Sequence, residues 1–262
     1  VSGRGEAYAA FAYAYDEALG KRFFKAVRVL VEAQLAKHPT VDKTHLDIAC
    51  GTGLALESFA KRGWKSTGVD ASIEMLTMAR SRTKRLVAGD FRALPLRGTF
   101  ARITCLYDSL NHLRERNDLV AAFRSMRRLM SDQSLLLFDI NHPEIYPAVW
   151  GMSEPFVADG KDYHLEIATT YRKRDATGNA RVTGWATLPG GTRAAIDEQH
   201  QQRAWKEREI TEALAAAELA PLDVIEFDPY GEAEALDVAA VKLFYVCQRV
   251  PARSAATSTA RI

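Results

Sequence analysis

The chain has 262 residues, 47% of them hydrophobic and 26% charged, with 35 Lys and Arg set against 33 Asp and Glu. That balance describes a folded globular chain, long enough for one large α/β domain carrying an insertion, and it excludes disorder. A formal charge of +2 leaves no electrostatic footprint for nucleic acid, and no apolar run reaches the ~18 residues of a membrane span.

Residues 1–11, VSGRGEAYAAF, lack the basic-then-apolar succession of a signal peptide, so a cytoplasmic protein is expected. Residues 21–37 place Phe24, Val27, Val31 and Leu35 at helical spacing, which predicts an amphipathic helix. THLDIAC (44–50) reads as a short buried strand, and LALESFAKRG (54–63) as a helix stopped by Gly63. KSTGVD (65–70) is a strand, and SIEMLTMARSR (72–82) a helix with Ser72 as its N-cap. KRLVAGD and ARITCLYD are strands, RNDLVAAFRSMRRLM a helix, and QSLLLFDIN a fifth strand. Strands alternating with helices of this length predict a parallel sheet.

The pattern changes beyond Pro143. From about residue 153 to 205, β-formers replace helical periodicity, with DATGN (175–179) and PGG (189–191) as hairpin loops. Helix returns at EREITEALAAAEL, followed by LDVIEFD and VKLFYVCQR as two more strands. The expected fold is a doubly wound, mostly parallel seven-stranded α/β sheet with a small antiparallel β insertion after the fifth strand. Its segments are 1–141 (helices and cofactor-binding sheet), 142–205 (the insertion), 206–250 (return to the sheet) and 251–262 (a loose tail). Cys50, Cys105 and Cys247 sit in strand-like runs without CxxC spacing, which argues against a disulfide framework or zinc site. The arginines of RSRTKR (80–85) and RSMRR (124–128) are expected on solvated helix faces.

Gly51 and Gly53 form a turn between strand and helix that brings backbone close to a ligand. The dinucleotide fingerprint wants a third glycine three residues on, where Leu56 stands; that bulk holds the helix off the strand and argues against a pyrophosphate. Asp70 ends the second strand, where a carboxylate can accept both ribose hydroxyls. Asp90 ends the third beside Phe91 and can accept from an exocyclic amine, with Met75 and Phe91 sandwiching a purine. The plainer alternatives are that Asp70 caps a helix and Asp90 opens a turn.

LDIACGTG, GVDASIEML, GDFRALPL and LYDSLNHL, in this order and spacing, resemble the class I S-adenosylmethionine-dependent methyltransferases, which have a Rossmann-like fold. Among these the chain is similar to small-molecule N-methyltransferases of the glycine/sarcosine type and to amino-sugar N,N-dimethyltransferases. The resemblance covers about residues 8–141 and 198–249. It implies S-adenosyl-L-methionine as cofactor and S-adenosyl-L-homocysteine as product. Asp47, Gly51 and Gly53 would line the methionine part, Asp70 the ribose, Met75 the adenine face, and Asp90 with the Phe91 backbone the adenine edge. The Leu106 carbonyl would pass near the cofactor amine, and Tyr15 would close over the donor. Two departures mark a divergent member: SDQS (131–134) replaces a Pro-Gly-Gly turn, and Glu218 and Leu219 stand where a glycine is common.

A sulfonium methyl is already activated, so the protein must align donor and acceptor and, for an amine, remove a proton. Asp108, Asn111 and His112 follow the fourth strand and are the candidate catalytic residues, with His112 as base or acceptor-orienting group; its plainer reading is a histidine flanking the next helix. Asp139 and Asn141 share a strand face near Asp108 and invite a magnesium reading, but the adjacent Asp-Asn pair of catechol O-methyltransferases is absent, and no metal is expected. Tyr163, His164, Tyr171, Trp185, His200, Arg203 and Trp205 lie in the insertion, which in relatives roofs the acceptor pocket or joins two copies as a homodimer. The expected function is methyl transfer to a small-molecule amine. Alternatives are an O- or C-methyltransferase, a nucleic-acid methyltransferase (whose Asn/Asp-Pro-Pro-aromatic run is missing), an NAD-dependent reductase, and a non-catalytic binder.

Overall fold

The computed structural model describes residues 10–250 except Ser153 and Pro189. The tail expected over 251–262 and the first nine residues lie outside the described residues. Helix runs from residue 10 through a π turn at Asp16–Gly20 into α1 (Lys21–Lys37), whose Phe23, Val27 and Val31 are buried.

Five parallel strands follow: β1 (Thr44–Ile48), β2 (Lys65–Asp70), β3 (Leu86–Ala88), β4 (Arg102–Cys105) and β5 (Leu135–Asn141). The helices between them are α2 (Leu54–Lys61), α3 (Ile73–Ala79) and α4 (Arg116–Arg128). All seven residues of β5 are buried because both of its faces are covered. Leu135 and Leu137 pack towards α1 and α2, whereas Leu136, Phe138 and Ile140 pack towards α4 and the later helix. Fully buried Phe138 and Phe123 each contribute about 1.5–3 kcal/mol. Gly63 ends α2 at φ 76°, with its N–H on Ala60 O and the Trp64 N–H on Phe59 O. Ser72 caps α3 through its Oγ, which accepts the Met75 N–H at 3.1 Å.

After a short helix α5 (Ile145–Val149), four antiparallel strands form a second sheet: β6 (Phe156–Gly160), β7 (Tyr163–Arg172), β8 (Thr177–Thr187) and β9 (Arg193–Arg203). The β7–β8 connection lies earlier than the DATGN reading, in a single turn at Lys173–Asp175. Arg172 clamps Asp175 there, and Ala176 takes the left-handed φ of 52°, so strand pairing resumes at Thr177. Leu165, Val182 and Ile196 of this sheet pack on Ala10, Phe11 and Ala14, which fixes the insertion over the N-terminal helix.

Helix α6 (Glu207–Ala216) returns the chain to the main sheet as β10 (Leu219–Phe227) and β11 (Lys242–Arg249). The order β10-β11-β5-β4-β1-β2-β3 is the expected doubly wound sheet, with β11 antiparallel to both neighbours. Glu218 makes the turn before β10 at φ 55°, a conformation that explains the glycine common at this point in relatives. The arginine clusters are more than a solvated face. Arg128 donates to the carbonyls of Leu94 and Leu96, and Arg82 bonds Asp16 and the Thr52 carbonyl. Among the described residues no helix is long and apolar enough to cross a membrane.

Candidate active site

The sheet order reverses between β1 and β4, so their carboxyl ends splay and leave a crevice. The cleft there has three connected lobes of about 440, 80 and 380 Å³, with Ala49 and Ser109 lining all three. The loop after β1 alternates through left-handed conformations at Ala49 (φ 52°), Gly51 (φ 52°) and Gly53 (φ 89°). A Cβ on Gly51 would meet no protein atom within 4 Å and would stand in the open cleft, so the loop fits a ligand at backbone distance. Leu56 is accommodated differently from the bulk argument: it lies over Gly68 of β2, where an added Cβ would be 2.6 Å from Leu56 Cδ1. A missing side chain on the strand makes room for the one the helix carries.

Asp70 accepts the Gly51 N–H at 2.7 Å and the Ser72 N–H at 2.9 Å. Burial raises its carboxyl pKa, and those backbone donors oppose the rise. Asp47, buried on β1, accepts the Thr104 hydroxyl at 2.5 Å, and burial pushes it up to about 7. The largest lobe is lined by Asp70, Gly89, Asp90, Phe91 and His112; the small one by Tyr15, Asp47, Gly51 and Leu106; the third by Tyr15, Gly51, Asp70, Met75, Asp108 and His112. Gly53 starts α2 behind the loop, its position one where a Cβ would press within 3.3 Å of Ala79 Cβ.

Three expectations are corrected. Met75 and Phe91 line different lobes, the third and the largest, and Met75 packs against the core that the insertion shares with the N-terminal helix. Asp90 caps the turn after β3 through the Arg92 N–H, and its carboxylate is held by the Arg92 guanidinium at 2.5–3.0 Å, the plainer of its two readings. Asn111 is fully buried and does not line the cleft. Its amide donates to Arg203 O at 2.8 Å and its Oδ1 accepts the Asn141 N–H at 3.0 Å, tying β9 to β5.

The turn after β4 places Tyr107 (φ 64°) and Asp108 (φ 49°) in the left-handed region, a costly conformation for two consecutive residues with side chains. Asp139 holds it, accepting the Tyr107 N–H at 2.5 Å and the Asp108 N–H at 3.0 Å. At the centre sits Lys242, the first residue of β11 and 2% exposed. Its Nζ lies 2.6 Å from Asp108 Oδ1, 3.0 Å from Asp139 Oδ2 and 2.9 Å from Asn141 Oδ1. An ammonium therefore stands among the three side chains that suggested magnesium. Its pKa is raised by the two carboxylates against the effect of burial, so it stays charged.

Gln202 of β9 completes the network. It donates to Asp108 Oδ2 at 2.5 Å and accepts from Tyr146 Oη at 2.9 Å and Asn141 Nδ2 at 3.0 Å. His112 is open to the cleft yet densely surrounded by protein, and that burial lowers its pKa against the pull of Asp108. His200, with its ring 6.0 Å from His112, is lowered to about 4, chiefly by burial. Of the insertion side chains singled out from sequence, His200 lines the cleft. Trp205 joins the main core, Trp185 lies under Arg193, and Arg203 pairs with Glu209. Lys242 and Gln202 escaped sequence reading; the one signal for Lys242 is a charge opening a strand whose next five residues, Leu243 to Cys247, are apolar.

The methyltransferase domain family matches residues 46–133. The dTDP-3-amino-3,4,6-trideoxy-alpha-D-glucopyranose N,N-dimethyltransferase of Streptomyces venezuelae is 27% identical over 71% of this chain and 78% of its own length. An S-adenosylmethionine-dependent methyltransferase from Clostridium acetobutylicum superposes with a TM-score of 0.75 at 23% identity, covering 92% of this chain and 98% of that one. S-adenosylmethionine-bound CalS10, an amino pentose methyltransferase from Micromonospora echinaspora, superposes at 0.67 with 21% identity, covering 87% and 91%. The chain thus carries a methyltransferase domain at residues 46–133, and its fold and relatives support an S-adenosylmethionine-dependent methyltransferase.

Proposed function

We propose that the chain methylates a nitrogen of a small-molecule acceptor, with the donor along the tips of β1–β3 and the acceptor in the lobe between β4 and the insertion. When bound, S-adenosylmethionine supplies a methyl group that a nucleophile takes as the carbon–sulfur bond breaks, its electron pair staying on sulfur. Asp70 would hold the ribose, Phe91 and the Asp90 turn would border the base, and Asp47, Gly51 and Leu106 would surround the methionine part. Tyr15, shared by two lobes, would cover the donor from the N-terminal helix.

The observation that carries the reading is His112, an imidazole at the seam of the donor and acceptor lobes with Asp108 near it. A lowered pKa leaves it unprotonated at neutral pH, ready to take a proton from an ammonium, which has no lone pair until it loses one. Asp108 then favours the imidazolium that forms. The insertion would roof the acceptor and keep water away. Relatives named for amino-sugar N-methylation support nitrogen as the target. The test supplies cofactor with a deuterated methyl and panels of amines, alcohols and carboxylic acids, and locates the label by mass spectrometry. Label on nitrogen is expected; label confined to oxygen or carbon would refute the reading.

A further inference from the structure

The acceptor lobe has a one-sided charge. Among its described lining residues are two carboxylates, Asp70 and Asp108, two imidazoles, and no lysine or arginine. Behind its wall, Asp108 and Asp139 share the single ammonium of Lys242; burial raises the Asp139 carboxyl pKa against the pull of that ammonium, which leaves Asp108 as the carboxylate of the trio that lines the lobe. Burial holds His112 and His200 towards their neutral forms, so neither offsets it. The rest of the wall is aromatic or aliphatic, with Phe11, Tyr15, Trp150 and Ile167 on it. Ring faces attract a cation, and apolar walls with few polar anchors suit a compact organic body. At about 380 Å³ the lobe is near the small end of ligand cavities.

An acceptor linked to a nucleoside diphosphate makes the opposite demand. Its phosphates need guanidinium, ammonium or clustered N–H donors. Of the guanidiniums close by, Arg203 pairs with Glu209 and Arg92 with Asp90 and Asp118, while Arg114, bonded to the neutral amide of Gln201, lines the adjoining largest lobe and not this one.

We infer that the acceptor is a compact cationic amine on an apolar or aromatic body, bearing no phosphate, unlike the nucleotide-linked amino sugars for which the relatives are named. This rests on the methyl-transfer reading above. The amine enters as an ammonium, gives one N–H proton to His112, and forms its new N–C bond with the lone pair so released.

The test is calorimetry on protein loaded with S-adenosylhomocysteine, at about pH 7.5, where a primary alkylamine is charged. The probes are 2-phenylethylamine, its neutral isostere 2-phenylethanol, and a dTDP-linked 3-amino sugar. The amine should bind roughly 10-fold tighter than the alcohol, with the dTDP sugar weakest. Equal binding of amine and alcohol, tighter binding of the dTDP sugar, or no binding of the amine would each overturn the inference while leaving the donor site standing. Failure of S-adenosylhomocysteine to bind would remove the methyl-transfer reading and this inference with it. Asp108→Asn, assayed alongside with its S-adenosylhomocysteine affinity as a folding control, should erase the preference for amine over alcohol; an undiminished preference would overturn the assigned charge. Should that variant not fold, the wild-type comparison decides.

Discussion

At the tips of β1 and β2 the cleft is assembled over short stretches of chain: Gly51 and Asp70 are 19 residues apart, and Ser72 and Asp70 only two. Across the switch point, by contrast, Asp108 is held by Gln202, 94 residues away, and by Lys242, 134 away. The first half uses glycine conformations and backbone N–H groups. The second uses buried charge and side-chain amides drawn from three distant elements. The proposed donor half is thus encoded by local turns, whereas the proposed acceptor half exists only once the whole sheet and its insertion have closed.

The sharpest way to break that contrast is Lys242→Met. The methionine fills the space but leaves Asp108 and Asp139 facing each other without a counter-ion, the situation in which a broken buried pair costs about 3–5 kcal/mol. For a chain of this size that corresponds to a thermal midpoint lower by roughly 10 °C. Thermal and urea unfolding would measure it. If the variant matched the wild type, the acceptor half would not depend on the trio, and the proposed difference between the halves would dissolve.

A narrower probe is His112→Ala, which leaves the charged trio intact. Loss of a general base lowers turnover by about 10²–10⁴-fold. S-adenosylhomocysteine affinity should stay within about 3-fold, because Asp70, Asp47 and Gly51 are untouched. In the wild type, methylation of an amine should slow as pH falls through the lowered pKa of His112. Full turnover in the variant would confine His112 to a packing role, whereas a matching loss of cofactor affinity would show that the halves are not separable.

The same contrast explains what could be read from the sequence. The sheet, its helices, Gly63 as a stop and Ser72 as a cap follow from local periodicity and capping chemistry, and all are found. The glycine turn and Asp70 come together because one strand–helix–strand unit carries both. Asn111 is sited wrongly from sequence because a residue beside His112 can face the cleft or the core, and only the position of β9 decides. Asp90 has an arginine two residues on, a local signal that its carboxylate would be occupied. Lys242 could be placed only by its register opposite Asn141, a pairing of two strands separated by the insertion.

The smallest effect is expected on β1 itself, where the donor half hides two opposed titrations. His45 is fully buried, stacked on Phe59 and bonded to Ser66 and Thr104, and burial lowers it from 6.5 to about 3. Between pH 6.5 and 3 the unfolded chain therefore binds a proton that the folded chain refuses, and stability falls as pH falls. Asp47, two residues on and sharing Thr104, is raised from 3.8 to about 7. Between pH 3.8 and 7 the folded chain holds a proton that the unfolded chain has lost, so this contribution falls as pH rises. The windows overlap from 3.8 to 6.5, and there the slopes oppose one another. Asp47→Asn keeps an acceptor for the Thr104 hydroxyl and removes one titration. Relative to the wild type, its stability should gain a slope of about 1.4 kcal/mol per pH unit across the overlap, rising towards pH 6.5. Urea unfolding of both proteins at about pH 4.5 and 6.5 reads this directly, because groups common to the two cancel in the difference. Parallel profiles would mean that Asp47 ionises in the fold as it does in the open chain, and the donor half would lose its claim to a proton held on β1.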